Sequence, residues 1–400
     1  MITLVSKEKQ IIYMNALFTF AMSMGNVFVN VFVYSYTQSL ELTLLYACIR
    51  YFFIPIFSLI GGRMSTKHDL TRILSIGLVF MTGAFLYLLW IQDGIAEAVW
   101  KAFIVAGLTG CGEGLFWYAM NVMNQKTPRI EARSLFLSNM GLLNGIANIF
   151  APVVTAVILG NVETDMFGYS MIFTLVIVLF IVVAYMSLRL SYVYRTPSFP
   201  FLELFKKGSE KWEYQKKTAV LHSLRECYTM ALSGLLVFRM LNNSGEILSY
   251  YNALISSIVI ASYWVVGRKV RHAMIINALY IGSFGLLASM LILSFSQGAL
   301  MALLFGIINA ISTPLYFNGF QMIRMRVFTE EAKDGNITGH IIASEFLMNI
   351  GRILGLGTIV ILARSFPDPA YIQLGTIFMA LGGIGVVILT YRMSKKYELV

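Results

Sequence analysis

Charge is what this chain has least of. Only 12% of its 400 residues are Asp, Glu, Lys or Arg, against 58% hydrophobic, and the mean hydropathy is +0.74. That is too little polar surface to cover a water-soluble protein of this length, so a globular fold in water is excluded. Cysteine is scarce too. Cys48, Cys111 and Cys227 lie within or beside apolar blocks, without a CxxC spacing, so neither a disulfide framework nor a thiolate metal site is expected. No GxxxxGK[ST] pattern occurs, which removes direct drive by ATP. No cleavable signal is expected, because the polar lead MITLVSKEK runs into an apolar block of about 23 residues, longer than a signal's core. That block is expected to stay as a first span.

What the chain does have is apolar blocks of about 20 residues, the length that crosses a bilayer at roughly 1.5 Å per residue. They fall at roughly 10–33, 42–62, 70–91, 97–123, 135–159 and 168–190, then near 220–240, 246–267, 272–294, 298–323, 338–363 and 369–391. Twelve spans result, six on each side of the single long polar stretch. The net charge of +10 sorts with them. Lys7, Lys9, Arg63, Lys67, Arg72, Lys126, Arg129, Arg268, Lys269, Arg324, Arg326, Arg392 and Lys395 share one side with the basic segment Arg189–Arg225. The other side has little beyond Lys101, Arg239 and Arg364. By the positive-inside rule both termini and the central segment are expected in the cytoplasm. The basic excess is therefore topological, and no nucleic-acid partner is expected.

The expected organisation is a six-helix bundle over 1–190, a cytoplasmic linker over 191–219 and a second six-helix bundle over 220–400. Pro197 and Pro200 break the helix leaving span six, and Phe199, Phe201, Phe205 and Trp212 suggest an interfacial amphipathic piece. The halves repeat weakly. EGLFWYAMNVMNQK (113–126) aligns with TPLYFNGFQMIRMR (313–326), so that Phe116 meets Tyr316, Asn121 meets Gln321 and Lys126 meets Arg326; AVIL (156–159) matches IVIL (359–362).

Three further stretches are suggestive. GGRMSTKHDLTR (61–72) has glycine, Asp69 and Arg72 between spans two and three, and Gly267-Arg268-Lys269 occupies the matching loop of the second half. Span five carries Ala147-x-x-x-Ala151-Pro152-x-x-Thr155-Ala156. With the topology, these resemble the major facilitator superfamily, whose motifs they follow in degenerate form. The resemblance covers the whole length. It implies an all-α membrane protein of 12 transmembrane helices in two pseudo-symmetric six-helix bundles, working as a monomer. The span-five pattern is similar to that of the family's antiporters.

Ionisable groups in spans usually face a partner or a cavity, since each costs at least about 2.5–3.5 kcal/mol to insert. Four stand out: Arg50, Glu113, Glu345 and Arg352. Arg50 and Glu113 differ little in depth, so an ion pair between them is expected. Glu113, Trp117, Asn121 and Asn124 lie on one face of span four. The resemblance implies that spans one, four, seven and ten line a central cavity. That makes Asn26 and Asn30 of span one, and Asn309, Thr313, Tyr316 and Gln321 of span ten, candidates beside Glu113, Trp117 and Asn121. Glu113 then either binds substrate or carries a proton there, or is a structural pair with Arg50, or is packed in its protonated form. Glu345, Asn349 and Arg352 share a face of span eleven. With Arg50 they form either a gate between bundles or a network within their own helix. Asp69, Arg72, Pro152 and Arg268 are the candidate conformational motifs. His68, His222, His272 and His340 are expected at headgroup level, and no metal, cofactor or catalytic residue is expected.

The function these features suggest is secondary active transport by alternating access, with proton-coupled export of a small molecule foremost. Span one has no acid, unlike many of the family's proton-coupled drug exporters. A lipid or lipid-linked glycan flippase and a sugar or metabolite uptake symporter stay open. A membrane enzyme is disfavoured, because the short loops hold no clustered acids. The short polar ends suit a cell (cytoplasmic) membrane, where the expected partners are substrate, protons and lipid.

Overall fold

The computed structural model describes residues 4–91, 94–129, 132–190, 205–270, 274–331 and 337–397. Regular structure among them is entirely helical. The first half contains α1 (Ser6–Thr37), α2 (Leu40–Met64), α3 (Leu70–Ile91), the single turn α4 (Gly94–Glu97), α5 (Trp100–Lys126), α6 (Arg133–Gly160) and α7 (Asp165–Arg189). In the second half, α8 (Glu210–Cys227) passes through a five-residue π-helical stretch, Tyr228–Leu232, into α9 (Ser233–Met240). It is followed by α10 (Gly245–Lys269), α11 (Ile275–Phe295), α12 (Ala299–Glu331), α13 (Ile337–Leu362) and α14 (Ala370–Ser394). Counting α8 to α9 as one continuous rod, these are twelve long helices. Eleven are long and apolar enough to cross a membrane. In lipid every backbone N–H and C=O must be satisfied within the segment, and helices do that.

The twelfth is α8 to α9, whose opening turns EKWEYQKK are too polar to count. Its start corrects the expected boundary: helix begins at Glu210, not near 220, because Ser209 caps it by accepting from the Trp212 N–H at 3.1 Å. The segment 205–219 is thus largely helix rather than linker, while 191–204, with Pro197 and Pro200, lies outside the described residues. Helix ends elsewhere follow local chemistry. Gln38 closes α1 in the left-handed region at φ 50°, its N–H bonded to the Tyr34 carbonyl at 2.7 Å, and Gly298 at φ 93° turns the chain into α12.

The chain divides into two compact units. The first comprises Met1–Ser39, Ile49–Ser198 and Gly245–Ala253; the second comprises Leu40–Cys48, Phe199–Ser244 and Leu254–Val400. The division follows the two halves except that the opening turns of α2 and of α10 are exchanged.

Within the first unit the closest seam is α3 on α5. A methyl group at Gly77 would lie 2.7 Å from the Gly112 carbonyl oxygen and 2.9 Å from the Phe116 nitrogen, so only glycine permits this approach. Within the second, α11 on α12 repeats the device: a methyl at Gly282 would meet the Tyr316 backbone. Phe116 and Tyr316, matched in the internal alignment, occupy corresponding places in the two seams. Both are buried to 1% exposure or less.

The core of the second unit overturns one expectation. Trp212 is buried against Phe328 and His340 (ring centroids 6.2 and 4.7 Å), and Phe205 packs on the same cluster. These two aromatics belong to the bundle and not to an interfacial helix. Large apolar side chains such as Val79, Trp90, Leu142, Ile281 and Ile361 stand exposed, as lipid-facing positions do.

Candidate functional site

Among the described residues, each unit contains a centre where charged side chains pair away from water. In the first, glycines create it. Methyl groups at Gly110 and Gly114 of α5 would collide with the Arg50 and Ile54 carbonyl oxygens of α2, so the two backbones touch. At that distance Arg50 grips Glu113 with a two-pronged fork: Nε donates to Oε2 at 2.9 Å and Nη2 to Oε1. The side chains are 12% and 3% exposed. A bidentate guanidinium–carboxylate pair is the form in which a charge is best tolerated away from water.

One turn on, Trp117 is 36% exposed and meets Phe18 of α1 edge-to-face at 5.4 Å, and Asn121 and Asn124 follow half-buried on the same face. The face of α5 therefore grades from closed at Glu113 to open at Trp117.

Neutral polar pairs join α1 to α6. Thr19 donates to Asn144 Oδ1 at 3.3 Å and Ser23 donates to Asn148 Oδ1. Asn26 and Asn30 continue this face of α1 at helical spacing and are half-buried. On α6, Pro152 is buried between Ala151 and Thr155, whose hydroxyl donates back to the Pro152 carbonyl at 2.9 Å and also meets Ser249 of α10 at 3.2 Å. Asp69 stands just before α3, its carbonyl accepting from the Arg72 N–H at 3.1 Å, while the Arg72 side chain is exposed. Arg268 is exposed and stacks over Trp264 at 4.0 Å.

The second unit's centre includes residues that sequence reasoning placed elsewhere. His222 is buried inside the bundle, 1% exposed and twelve residues into a helix that starts at Glu210. Its Nδ1 meets the Tyr316 hydroxyl at 2.7 Å and its Nε2 meets Glu226 Oε1 at 3.3 Å. The ring stacks on Phe320 at 4.1 Å. Arg352 of α13 donates from Nη2 to Glu226 Oε2 at 3.0 Å and from Nη1 to Asn349 Oδ1 at 3.3 Å. Arg225, assigned by the sequence to a basic loop, is buried at 5% exposure with its guanidinium 4.7 Å over the Tyr316 ring. Here too a glycine sets the spacing, since a methyl at Gly351 of α13 would strike Val220 and Ser223 of α8.

Two expectations are corrected by this geometry. Glu345 and Arg352 do not form one helix-internal pair, for Glu345 is paired across to Arg324 of α12 at 3.3 Å and Arg352 to Glu226 of α8. Tyr316 is not on an open face: it is buried against His222. Asn309 of the same helix turns toward α11, its Nδ2 donating to Ser289 at 3.4 Å, and Thr313 donates to the Asn309 carbonyl at 2.8 Å. Gln321 lines a largely apolar cavity of about 280 Å³ with Val266, Asn318 and Met325. His340 is buried against Trp212, and His272 lies outside the described residues. A periodicity search had one signal for Glu226 and His222, their i, i+4 spacing, but a helix start expected near 220 hid how far inside the helix they lie. At the outer end of α8, by contrast, Lys396 and Tyr397 both donate to exposed Glu210 and hold its carboxyl below the usual range.

The architecture is shared with solved transporters. A variant of the nucleoside transporter NupG superposes with a TM-score of 0.70 at 12% identity, covering 97% of this chain and 100% of that one. A D-xylose-proton symporter gives 0.69 at 14% identity, covering 95% of each. At these identities the likeness establishes a transporter fold. The chain belongs to the Major Facilitator Superfamily, whose family model matches residues 11–356. It is therefore a multi-pass membrane protein of a transporter family. A relative by sequence is the uncharacterized protein YqgE of Bacillus subtilis (strain 168), 23% identical over 379 residues, covering 94% of this chain and 86% of that protein.

Proposed function

We propose that this protein is a secondary transporter that exports a small molecule in exchange for protons by alternating access. The observation that carries the reading is the pair of buried ion-pair centres, Arg50–Glu113 and Glu226–Arg352, in helices otherwise made of apolar residues. A spanning segment keeps such groups at a cost, and in a transporter fold the return is binding or coupling. Export is supported by the small-residue face Ala147, Ala151, Thr155 and Ala156 around Pro152 in α6. The sorting of Lys and Arg supports cytoplasmic termini in a cell membrane. In this reading Trp117, Asn121, Asn26 and Asn30 of the first unit meet a substrate with both polar and aromatic-stacking character. The protein acts as a monomer, and transport rather than catalysis is its activity.

The test begins with thermal shifts of the purified chain against cationic drugs, sugars, amino acids, peptides and lipid-linked glycans. A stabilising compound is then offered to proteoliposomes with an imposed pH gradient. Exchange for protons accumulates it in acid-interior vesicles. Accumulation in alkaline-interior vesicles would mean symport, and uptake indifferent to the gradient would mean passive transport; either ends the export reading.

A further inference from the structure

The two centres differ in their capacity for a proton. Glu113 is held by both prongs of a guanidinium that stays charged at any physiological pH. Glu226 is held differently. One oxygen accepts from Arg352, and the other faces His222, the side chain whose ordinary titration falls nearest neutrality.

The imidazole is partnered in both of its protonation states. In the neutral ring Nε2–H donates to Glu226 Oε1 and Nδ1 accepts from the Tyr316 hydroxyl. When a second proton arrives on Nδ1, that hydroxyl turns to accept from it. Nothing but an N–H bond is made, and release reverses it. Stacking between Tyr316 and Phe320 holds the ring plane through the change. Glu226, 20% exposed, is the less enclosed partner of the two.

The surrounding charges make the proton consequential. Arg225 and Glu226 act on His222 from its own helix and Arg352 acts from α13. The α12 helix contributes the Tyr316 hydroxyl, and α14, also packed on α8, contains no acid or histidine. With neutral His222 the Arg225, Arg352 and Glu226 set carries one net positive charge. A second proton adds another cation beside the single carboxylate, and His222 then competes with Arg352 for it. Protonation therefore strengthens the link within α8 relative to the one between α8 and α13. Two residues beyond Glu226 the helix enters its π-helical stretch, a feature common where helices work.

We infer that the exchangeable proton of this transporter is bound in the second unit by His222 and Glu226, in competition with Arg352. The inference rests on the proton-coupled reading above.

The test is solid-state NMR of the full chain in lipid vesicles with ¹⁵N-labelled histidine, titrated from about pH 5 to 9 around the ordinary histidine range. His222→Asn assigns the signal. His222 is expected to pass from one protonated ring nitrogen to two within that window. Glu226→Gln is expected to lower the midpoint by about one pH unit or more, Arg352→Gln to raise it by a similar amount, and Glu113→Gln to leave it in place. A His222 neutral across the window in the unmodified protein overturns the inference without need of any variant; so does a midpoint that moves with Glu113→Gln. In proteoliposomes, His222→Gln is expected to lose gradient-driven accumulation yet keep exchange of labelled for unlabelled compound. Retained accumulation would overturn the coupling role. Failure of the wild-type protein to respond to the gradient would refute the proton-coupled reading instead, leaving the titration unaffected.

Discussion

The two units solve the same problem, charge within apolar helices, in opposite ways. The first isolates it: one acid and one arginine close on each other across α2 and α5, while the α1–α6 seam is stitched by neutral Thr19, Ser23, Asn144 and Asn148. The second shares it: on α8 the Glu226 carboxylate faces both His222 and Arg352 of α13, while Tyr316 of α12 meets the far side of the imidazole and Asn349 accepts from Arg352. A closed pair has one arrangement. A shared carboxylate has several of similar energy, and a proton can select among them. Similar backbones can thus carry unequal duties, a rigid frame in one half and a responsive centre in the other.

That contrast can be broken by experiment. The largest effect is expected from Arg50→Ala, which strands Glu113 without its counter-charge. A loss of about 3–5 kcal/mol is expected, seen as a lowered melting temperature of the purified protein, with most of it restored by adding Glu113→Gln. Arg352→Gln should cost less, about 1–3 kcal/mol, because His222 remains beside Glu226; a loss equal to that of Arg50→Ala would mean that the second centre is as closed as the first. Gly351→Ala should separate α13 from α8, with a loss of about 1–3 kcal/mol by the same melt. It should also shift the His222 titration, which a matched Gly114→Ala in the first unit should not. The smallest effect belongs to the neutral seam: Thr19→Ala or Asn148→Ala should cost about 0.6 kcal/mol, typical of hydrogen bonds between membrane helices.

The fold was legible because it is written in block lengths and in the sorting of Lys and Arg, which depend on bilayer thickness and not on side-chain detail. The Arg50–Glu113 pair was legible for a related reason: counting residues from helix ends gives depth, and equal depth in neighbouring helices brings charges together. The second centre was not. His222 and Glu226 lie near the end of the apolar block, and Ser209 with the polar turns after it extends the helix where hydropathy falls away. His222 thus read as a headgroup residue, and Glu226 was not singled out. Gly351 looked like any small residue, although the contact of α13 with α8 depends on it. Hydropathy counts how much of a helix is apolar; it does not report which neighbour each face has.

The π-helical stretch from Tyr228 to Leu232 has a consequence for phase. A π turn holds one residue more than an α turn, so side chains beyond it are out of step by about 100° with those before it. The stripe that starts at His222 and Glu226 does not continue to Ser233 and Val237, as an unbroken α-helix would require, but moves one position along. One rod therefore addresses two directions, and a helical wheel drawn across residue 228 merges faces that the molecule keeps apart.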